Sequence, residues 1–384
     1  MDAHALALSC MGAPASVSIR INPFKPVPAP ADGVRVPWNQ YGYVLQSRPQ
    51  FTLDPLFHAG CYYVQDSSAM FVGHLFRRLA KGAGLKVLDL CAAPGGKTTD
   101  LAASLRLACG DNFLLVSNEV MRQRAGILND NVALWGDSNV VVTSVDPAAF
   151  ARLGSFFDVI VADVPCSGEG MFRKDPRAVE EWSPELVNLC ASRQKRILAD
   201  AWPSLKKGGL LIYSTCTFEE EENDCNLEWA ASELGGSIVP PADAPKGVRL
   251  TRSGYLLVPG EVPGEGQWAG ALFKESDGGD LRGGISDLRP LRQGVKKGIQ
   301  KGKDFVPDAD YALSLDFCRD DYPMVELDLQ TALKFLHRDS FALKDAPLGY
   351  LAVCYQGHPL GFVKNLGNRC NNLLPAGRRI RMDV

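Results

Sequence analysis

Two cysteines, fifty residues apart, stand where strands are expected to end. The first lies in Asp158-Val-Ile-Val-Ala-Asp-Val-Pro-Cys-Ser-Gly168, the second in Gly209-Leu-Leu-Ile-Tyr-Ser-Thr-Cys-Thr-Phe218. Short apolar runs of this kind fit buried strands of a parallel sheet. Cys166 and Cys216 are then expected at one edge of that sheet, where α/β proteins keep their ligands. Two thiols converging on one crevice fit covalent catalysis, one as nucleophile and one as helper. The alternative is a pair of core cysteines, since Cys is among the residue types most often buried.

Upstream lies Lys86-Val-Leu-Asp-Leu-Cys-Ala-Ala-Pro-Gly-Gly-Lys-Thr98. Residues 87–90 are expected to form a buried strand, 92–96 a turn of small residues and 97–105 a helix. Glycine lets the backbone approach a ligand closely, and a helix start offers free N–H groups. The next expected strand, 113–118, ends at Glu119, whose carboxylate can accept from both hydroxyls of a ribose. A strand, a Gly turn, a helix and then an acid also fit a dinucleotide. Lys97 resembles the lysine of a phosphate loop. The G-x-x-x-x-G-K-[ST] spacing is absent, which sets a nucleoside triphosphate aside.

A chain of 384 residues has room for two or three domains. Its 46% apolar content supports a full core. No apolar run reaches the length of about eighteen residues that a membrane span needs. Residues 3–10 are mildly apolar, but no Lys or Arg precedes them, which makes a poor signal peptide. Eleven cysteines without a C-x-x-C pair argue against a zinc site and against a disulfide framework. No metal is therefore expected, and a reducing cytoplasmic location is. The net charge of −3 does not advertise a polyanionic partner, whereas local charge does.

Four regions follow along the chain. Residues 1–80 are mixed and rich in proline between Pro23 and Pro37, with a strand-like alternation in Ser16-Val-Ser-Ile-Arg-Ile-Asn-Pro-Phe-Lys25. Residues 81–276 alternate strands (86–90, 113–118, 139–144, 157–162, 209–214, 268–274) with helices (97–106, 121–134, 184–202, 219–234). That rhythm predicts a parallel sheet with right-handed crossovers. Residues 277–309 are expected to be a Gly-rich linker carrying Arg289, Arg292, Lys296, Lys297, Lys301 and Lys303. Residues 310–384 are expected to form a small module with strands at 350–355 and 359–364 and a basic end (Arg369, Arg378, Arg379, Arg381). The basic linker is either solvated charge on a tether or a set of phosphate contacts with RNA. Its place between an enzyme core and a basic module favours RNA.

The set Asp89-Leu-Cys-Ala-Ala-Pro-Gly-Gly-Lys-Thr98, Asp163-Val-Pro-Cys-Ser-Gly168 and Ser214-Thr-Cys-Thr217 resembles the Sun-type family of RNA cytosine-C5 methyltransferases. Ser18-Ile-Arg-Ile-Asn22 and Tyr62-Tyr-Val-Gln-Asp-Ser-Ser-Ala-Met70 are similar to that family's lead-in to its catalytic domain. Gly349-Tyr-Leu-Ala-Val353, Pro359-Leu-Gly-Phe362 and Leu374-Pro-Ala-Gly-Arg378 are similar to the PUA-like domain of its bacterial RsmF branch. The resemblance covers about 17–276 and 325–384. It implies an α/β fold: a Rossmann-like methyltransferase with a mostly parallel central sheet. It also implies a small N-terminal α+β region as RNA-binding lead-in and a small C-terminal PUA-like β-rich domain that would bind RNA. It further implies S-adenosylmethionine as cofactor and RNA as partner, free or in an assembling ribosomal subunit. Ribosomal RNA is expected ahead of tRNA; a monomer and no membrane association are expected. Seventeen residues precede Ser18, and 281–309 is short for the family, so less RNA-positioning structure is expected.

Carried over residue by residue, the resemblance implies that Cys91, Ala92, Ala93, Pro94, Gly95, Gly96 and Lys97 wrap the methionine and ribose of the cofactor. Glu119 would take the ribose hydroxyls, Asp146 would lie near the adenine, and Asp163 would sit between cofactor and target base. Cys216 would be the nucleophile and Cys166 would release the product. A Pro-Cys pair like Pro165-Cys166 carries the nucleophile in DNA cytosine methyltransferases, so spacing and chemistry alone allow either order. A thiol is needed because C5 of cytosine is a poor carbon nucleophile. Thiolate addition at C6 makes C5 enamine-like, and removal of the C5 proton then lets the thiolate leave. Asp163 can hydrogen-bond the pyrimidine, or it is a strand-end structural carboxylate. The target base must be flipped out or single-stranded. A ribosome-assembly RNA-binding protein with an inactive methyltransferase scaffold is the alternative of another class. The intact Cys166, Cys216, Asp163 and Glu119 argue against it.

Overall fold

The computed structural model describes residues 3–12, 15–276 and 283–382. Helix α1 (Ala3–Ser9) precedes an antiparallel sheet of β1 (Val17–Ile21), β2 (Val34–Arg35), β3 (Gly42–Leu45) and β4 (Tyr62–Val64), ordered β2-β3-β1-β4. The short helix α2 (Pro55–His58) starts on the Asp54 cap, whose carboxylate accepts the Leu56 N–H. The polar face of β1 does not look to water. Ser18 and Arg20 are 3% and 1% exposed, because that face lies against the central domain.

The central domain holds α3 (Phe71–Leu79), β5 (Lys86–Asp89), α4 (Gly96–Cys109), β6 (Leu114–Asn118), α5 (Arg122–Trp135), β7 (Val140–Thr143) and β8 (Phe157–Asp163). It continues through α6 (Pro176–Glu181), α7 (Pro184–Ala201), β9 (Leu205–Thr215), α8 (Asp224–Leu234), β10 (Gly236–Ile238), β11 (Arg249–Leu250), β12 (Gly254–Leu257) and β13 (Gln267–Lys274). The sheet runs β11-β12-β13-β9-β8-β5-β6-β7, with β10 also on β13. β5 through β9 are mutually parallel. Their apolar runs need cover on both faces. One face packs on α3, α4 and α5 through Phe71, Leu101 and Leu128, the other on α7 and α8 through Leu198 and Leu227.

The strand expected at 268–274 is present as β13 but runs antiparallel to β9. It follows β12 through a hairpin, which reverses its direction. The helix expected from residue 219 starts at Asp224 instead. Residues 217 and 223 are diverted by side-chain bonds: Asn223 donates to the Thr217 carbonyl (3.0 Å) and accepts from the Thr215 hydroxyl (2.5 Å).

A hairpin of β14 (Gly298–Lys301) and β15 (Asp304–Pro307) leads into α9 (Ala309–Leu313). A last sheet, β16 (Met324–Glu326), β17 (Gly349–Tyr355), β18 (His358–Asn365) and β19 (Cys370–Asn372), packs on α10 (Leu329–His337). Its core merges with that of the N-terminal sheet: Ile19, Ile21 and Tyr43 cluster with Phe335, Leu351 and Val363. The 277–309 segment departs from a free linker. Residues 277–282 lie outside the described residues. Beyond them, Leu291 and Arg292 bond the edge strand β7 through Val142 (2.8 and 3.0 Å), covering it. Arg292 also pairs with Asp310 at 2.6 Å with its side chain 8% exposed. A partner eighteen residues on, invisible to composition, turns a tether into a strap.

Candidate active site

The strand order reverses at β5, which has β6 on one side and β8 on the other. The C-terminal strand ends open there into a crevice. In register, Asp163 at the end of β8 stands beside Ser214 on β9, so the loops that follow leave the sheet together. They bring the Cys166 and Cys216 sulfurs to 3.3 Å. The residues after each cysteine fix that approach. The Ser167 hydroxyl bonds the Thr217 hydroxyl at 2.9 Å, and the Gly170 N–H donates to the Cys216 carbonyl at 2.7 Å. A Cβ at Gly170 would meet that carbonyl oxygen at 2.7 Å, so only glycine fits. Both sulfurs are half-buried, and all eleven cysteines are free thiols.

Asp163 is held from three sides. Lys97 reaches one oxygen at 2.7 Å, and Ser214 and Gln267 donate to the other at 2.7 and 3.1 Å. Burial alone would lower Lys97, but Asp163 holds it above the ordinary lysine range. The Lys97 ammonium thus stands against Asp163 and interacts with the Cys216 sulfur as well.

The 590 Å³ crevice is lined by Cys91, Ala93, Glu119, Asp146, Asp163, Cys166 and Cys216, among others. Ala92, Pro94, Gly95 and Gly96 instead shape the turn between β5 and α4. Gly95 takes φ 115°, a left-handed conformation. Backbone carbonyls of the turn are bonded from outside: Ala93 by Arg124 (2.9 Å), Pro94 by Asn131 (2.8 Å) and Gly96 by Arg20 (3.1 Å). Glu119 is buried just beyond β6, one oxygen accepting the Met121 N–H at 2.9 Å, the other 3.4 Å from Arg124. Asp146 caps the turn at 147–153 and is more exposed, with Arg196 at 3.5 Å.

Sequence reasoning misses several neighbours. Gln267 comes from β13, 104 residues beyond Asp163, and no local signal marks it. Arg124, Met171, Arg193 and Arg196 also line the crevice. Ser214 lies inside the Ser214-Thr-Cys-Thr217 motif, which draws the eye to its cysteine and gives the serine no role.

The chemistry of this lining fits S-adenosylmethionine. A buried carboxylate at Glu119 suits two hydroxyl donors. Apolar walls at Met121, Pro147 and Ile197 suit a flat base. Oδ1 of the buried Asp89, behind the turn, has no hydrogen-bond partner and suits a further donor.

A sheet with this strand order, the reversed β13 beside β9 and a thiol-bearing crevice at its switch point defines a class, the Rossmann-like methyltransferases. The 16S rRNA methyltransferase RsmB/F family matches residues 78–235, the methyltransferase RsmF PUA domain 322–380 and the N-terminal domain of 16S rRNA methyltransferase RsmF 2–67. Ribosomal RNA small subunit methyltransferase F of Serratia proteamaculans is 31% identical over 381 residues, 83% of this chain and 78% of that protein. The Pectobacterium carotovorum protein of the same name is 39% identical over 52% of this chain, a stretch spanning 41% of its own length. The crystal structure of a methyltransferase homologue from Pyrococcus horikoshii superposes with a TM-score of 0.58 at 25% identity, covering 70% of this chain and 90% of its own. The chain belongs to the ribosomal RNA small subunit methyltransferase F family, whose members take their methyl group from S-adenosylmethionine.

Proposed function

We propose that this chain methylates C5 of a cytosine in small-subunit ribosomal RNA through a covalent bond between Cys216 and C6. The observation that carries the reading is the 3.3 Å approach of Cys216 and Cys166 over a crevice that also holds Glu119 and Asp163. That the RNA is ribosomal is supported by the relatives, which are ribosomal RNA small subunit methyltransferases F.

Cys91 and Ala93, on the turn shaped by residues 92–97, would hold the methionine and ribose, Glu119 would accept the ribose hydroxyls and Asp146 would border the adenine. When bound, S-adenosylmethionine supplies an electrophilic methyl group on sulfur. Cys216, as thiolate, adds to C6 of a flipped cytosine and raises electron density at C5. Asp163, fixed by Lys97, Ser214 and Gln267, is preorganised to hydrogen-bond the pyrimidine. After methyl transfer the C5 proton passes to Cys166, whose own proton goes to the departing Cys216 sulfur 3.3 Å away, and the C5–H electron pair re-forms the C5=C6 double bond as the Cys216–C6 bond breaks.

The test is a denaturing gel of each variant mixed with RNA and S-adenosylmethionine. Cys216→Ser should neither methylate nor form an adduct, an alcohol being a far weaker nucleophile at neutral pH. Cys166→Ala should attack, transfer the methyl group and stall as a protein–RNA adduct. An adduct in Cys216→Ser with none in Cys166→Ala would reverse the roles. Methylation by both variants without any adduct would end the covalent mechanism.

A further inference from the structure

Behind the Cys166 loop lies a carboxylate that the methyl-transfer scheme leaves unused. Glu222 is fully buried. It accepts the Ser167 N–H at 3.3 and 3.2 Å, the Ser167 hydroxyl, and the Gln194 amide at 2.6 Å. Gln194 also donates to the Pro165 carbonyl at 2.9 Å. The carboxylate thus grips both neighbours of Cys166, one directly and one through Gln194, and these donors are all neutral. The charge that interacts with the Cys216 sulfur has the opposite sign: it is the Lys97 ammonium, which also pairs with Asp163 at 2.7 Å.

Two sulfurs 3.3 Å apart do not both ionise easily, so one proton is kept by the pair. Which sulfur keeps it follows from the charges around each. We propose that Glu222 is a positioning residue that assigns the two thiols their roles: its charge behind Cys166 keeps the proton there, and Lys97 draws the thiolate to Cys216. The proposal rests on the reading of Cys216 as nucleophile.

Cys166 is held well above the ordinary thiol range, first by the Cys216 sulfur, then by burial, with Glu222 adding to both; the Cys216 amide N–H is the opposing contact. Burial pushes Glu222 itself up to about 7, against its Ser167 and Gln194 donors. The other groups around it are Glu169, whose carboxylate accepts from Ser167 at 3.1 Å, and Glu219, hydrogen-bonded to Glu169. From α7 come Cys190 and, beside it, Arg193; from β9, Tyr213, whose hydroxyl bonds the Glu222 carbonyl at 2.5 Å. The bias towards Cys216 therefore strengthens as pH rises through about 7 and Glu222 ionises.

The experiment alkylates the full chain with iodoacetamide between pH 6 and 9 and counts modified Cys166 and Cys216 peptides by mass spectrometry. In the wild type Cys216 should react ahead of Cys166, and their ratio should climb through pH 7. Glu222→Gln should lower that ratio about tenfold, the effect of one pKa unit between two thiols, and flatten its pH dependence. Glu222→Asp, which keeps the charge, should restore both. An unchanged ratio in folded Glu222→Gln overturns the proposal, and so does Cys166 reacting first in the wild type. Should Glu222→Gln not fold, a wild-type ratio flat through pH 7 overturns it equally. No RNA or methyl donor is present, so this outcome is independent of the covalent mechanism tested above.

Discussion

The guanidinium of Arg20 donates to the carbonyl of Gly96 at 3.1 Å, latching the first strand of the N-terminal sheet to the turn that shapes the cofactor crevice. It also binds Gln65 (2.8 Å) and the Thr99 hydroxyl (2.5 Å) and lies 3.9 Å from Asp100. A lead-in segment thereby braces the turn beside the site.

Arg20→Met should destabilise the protein by about 3–5 kcal/mol, the cost of removing one partner from a buried charged network. It should also weaken S-adenosylmethionine binding, because the turn loses one of its outside supports. Arg20→Lys should recover little, since a single ammonium cannot span three acceptors. Urea midpoints and calorimetry read the two effects. A loss under about 1 kcal/mol would show the latch to be idle.

Asp89 makes stability depend on pH. Its carboxyl is fully buried, with the Thr98 hydroxyl at 2.6 Å on one oxygen. Burial pushes it from 3.8 up to about 7, with Thr98 opposing. Between those values the folded protein holds a proton that the unfolded chain has released. Stability therefore falls as pH rises through this window, and the full penalty of about 4 kcal/mol is present above it. Asp89→Asn removes the ionisation, so its stability relative to the wild type should increase between pH 5 and 8. Parallel stability profiles for the two proteins would refute this.

The strands and the cysteine pair are legible in the sequence because their signals are local. A short apolar run ending in Pro-Cys or Thr-Cys carries both the strand and its end. Strand direction is not legible, since β13 looks the same read either way and only its hairpin with β12 reverses it. The grip on Asp163 is half legible: Ser214 and Lys97 lie in motifs, whereas Gln267 arrives from a distant strand. The start of α8 lies later than its pattern predicts because Asn223 bonds Thr217 instead of extending the helix. The linker misleads for the same kind of reason, since the Asp310 partner of Arg292 has no mark in composition.

That last point divides the basic run. Arg292 is built into the fold and Lys297 pairs with Asp321 at 2.9 Å, whereas Arg289, Lys296, Lys301 and Lys303 are exposed. Replacing the four exposed residues by Gln should weaken RNA binding and lower its salt slope by about one unit for each phosphate that no longer meets a cation. The thermal midpoint should not move. Arg292→Gln should do the reverse, lowering the midpoint because Asp310 loses a buried partner. An unchanged salt slope in the fourfold variant would leave these cations as surface charge only.

Glu119 offers the most direct test of the cofactor crevice. It is 4% exposed, yet it lines the crevice with an oxygen that Arg124 approaches to 3.4 Å. A carboxylate so placed would meet two ribose hydroxyls without having to shed much water when they arrive. Hydrogen bonds to a charged acceptor are worth roughly 1.5–3 kcal/mol. Glu119→Ala should accordingly weaken S-adenosylmethionine binding about ten- to a hundredfold in calorimetry. Glu119→Gln, which keeps one acceptor and loses the charge, should fall between. Asp146→Ala should cost less than either, because its carboxylate stands half in water, where a replaced hydrogen bond is worth little. Unchanged affinity in a folded Glu119→Ala protein would place the ribose elsewhere and with it the methyl donor's orientation towards Cys216.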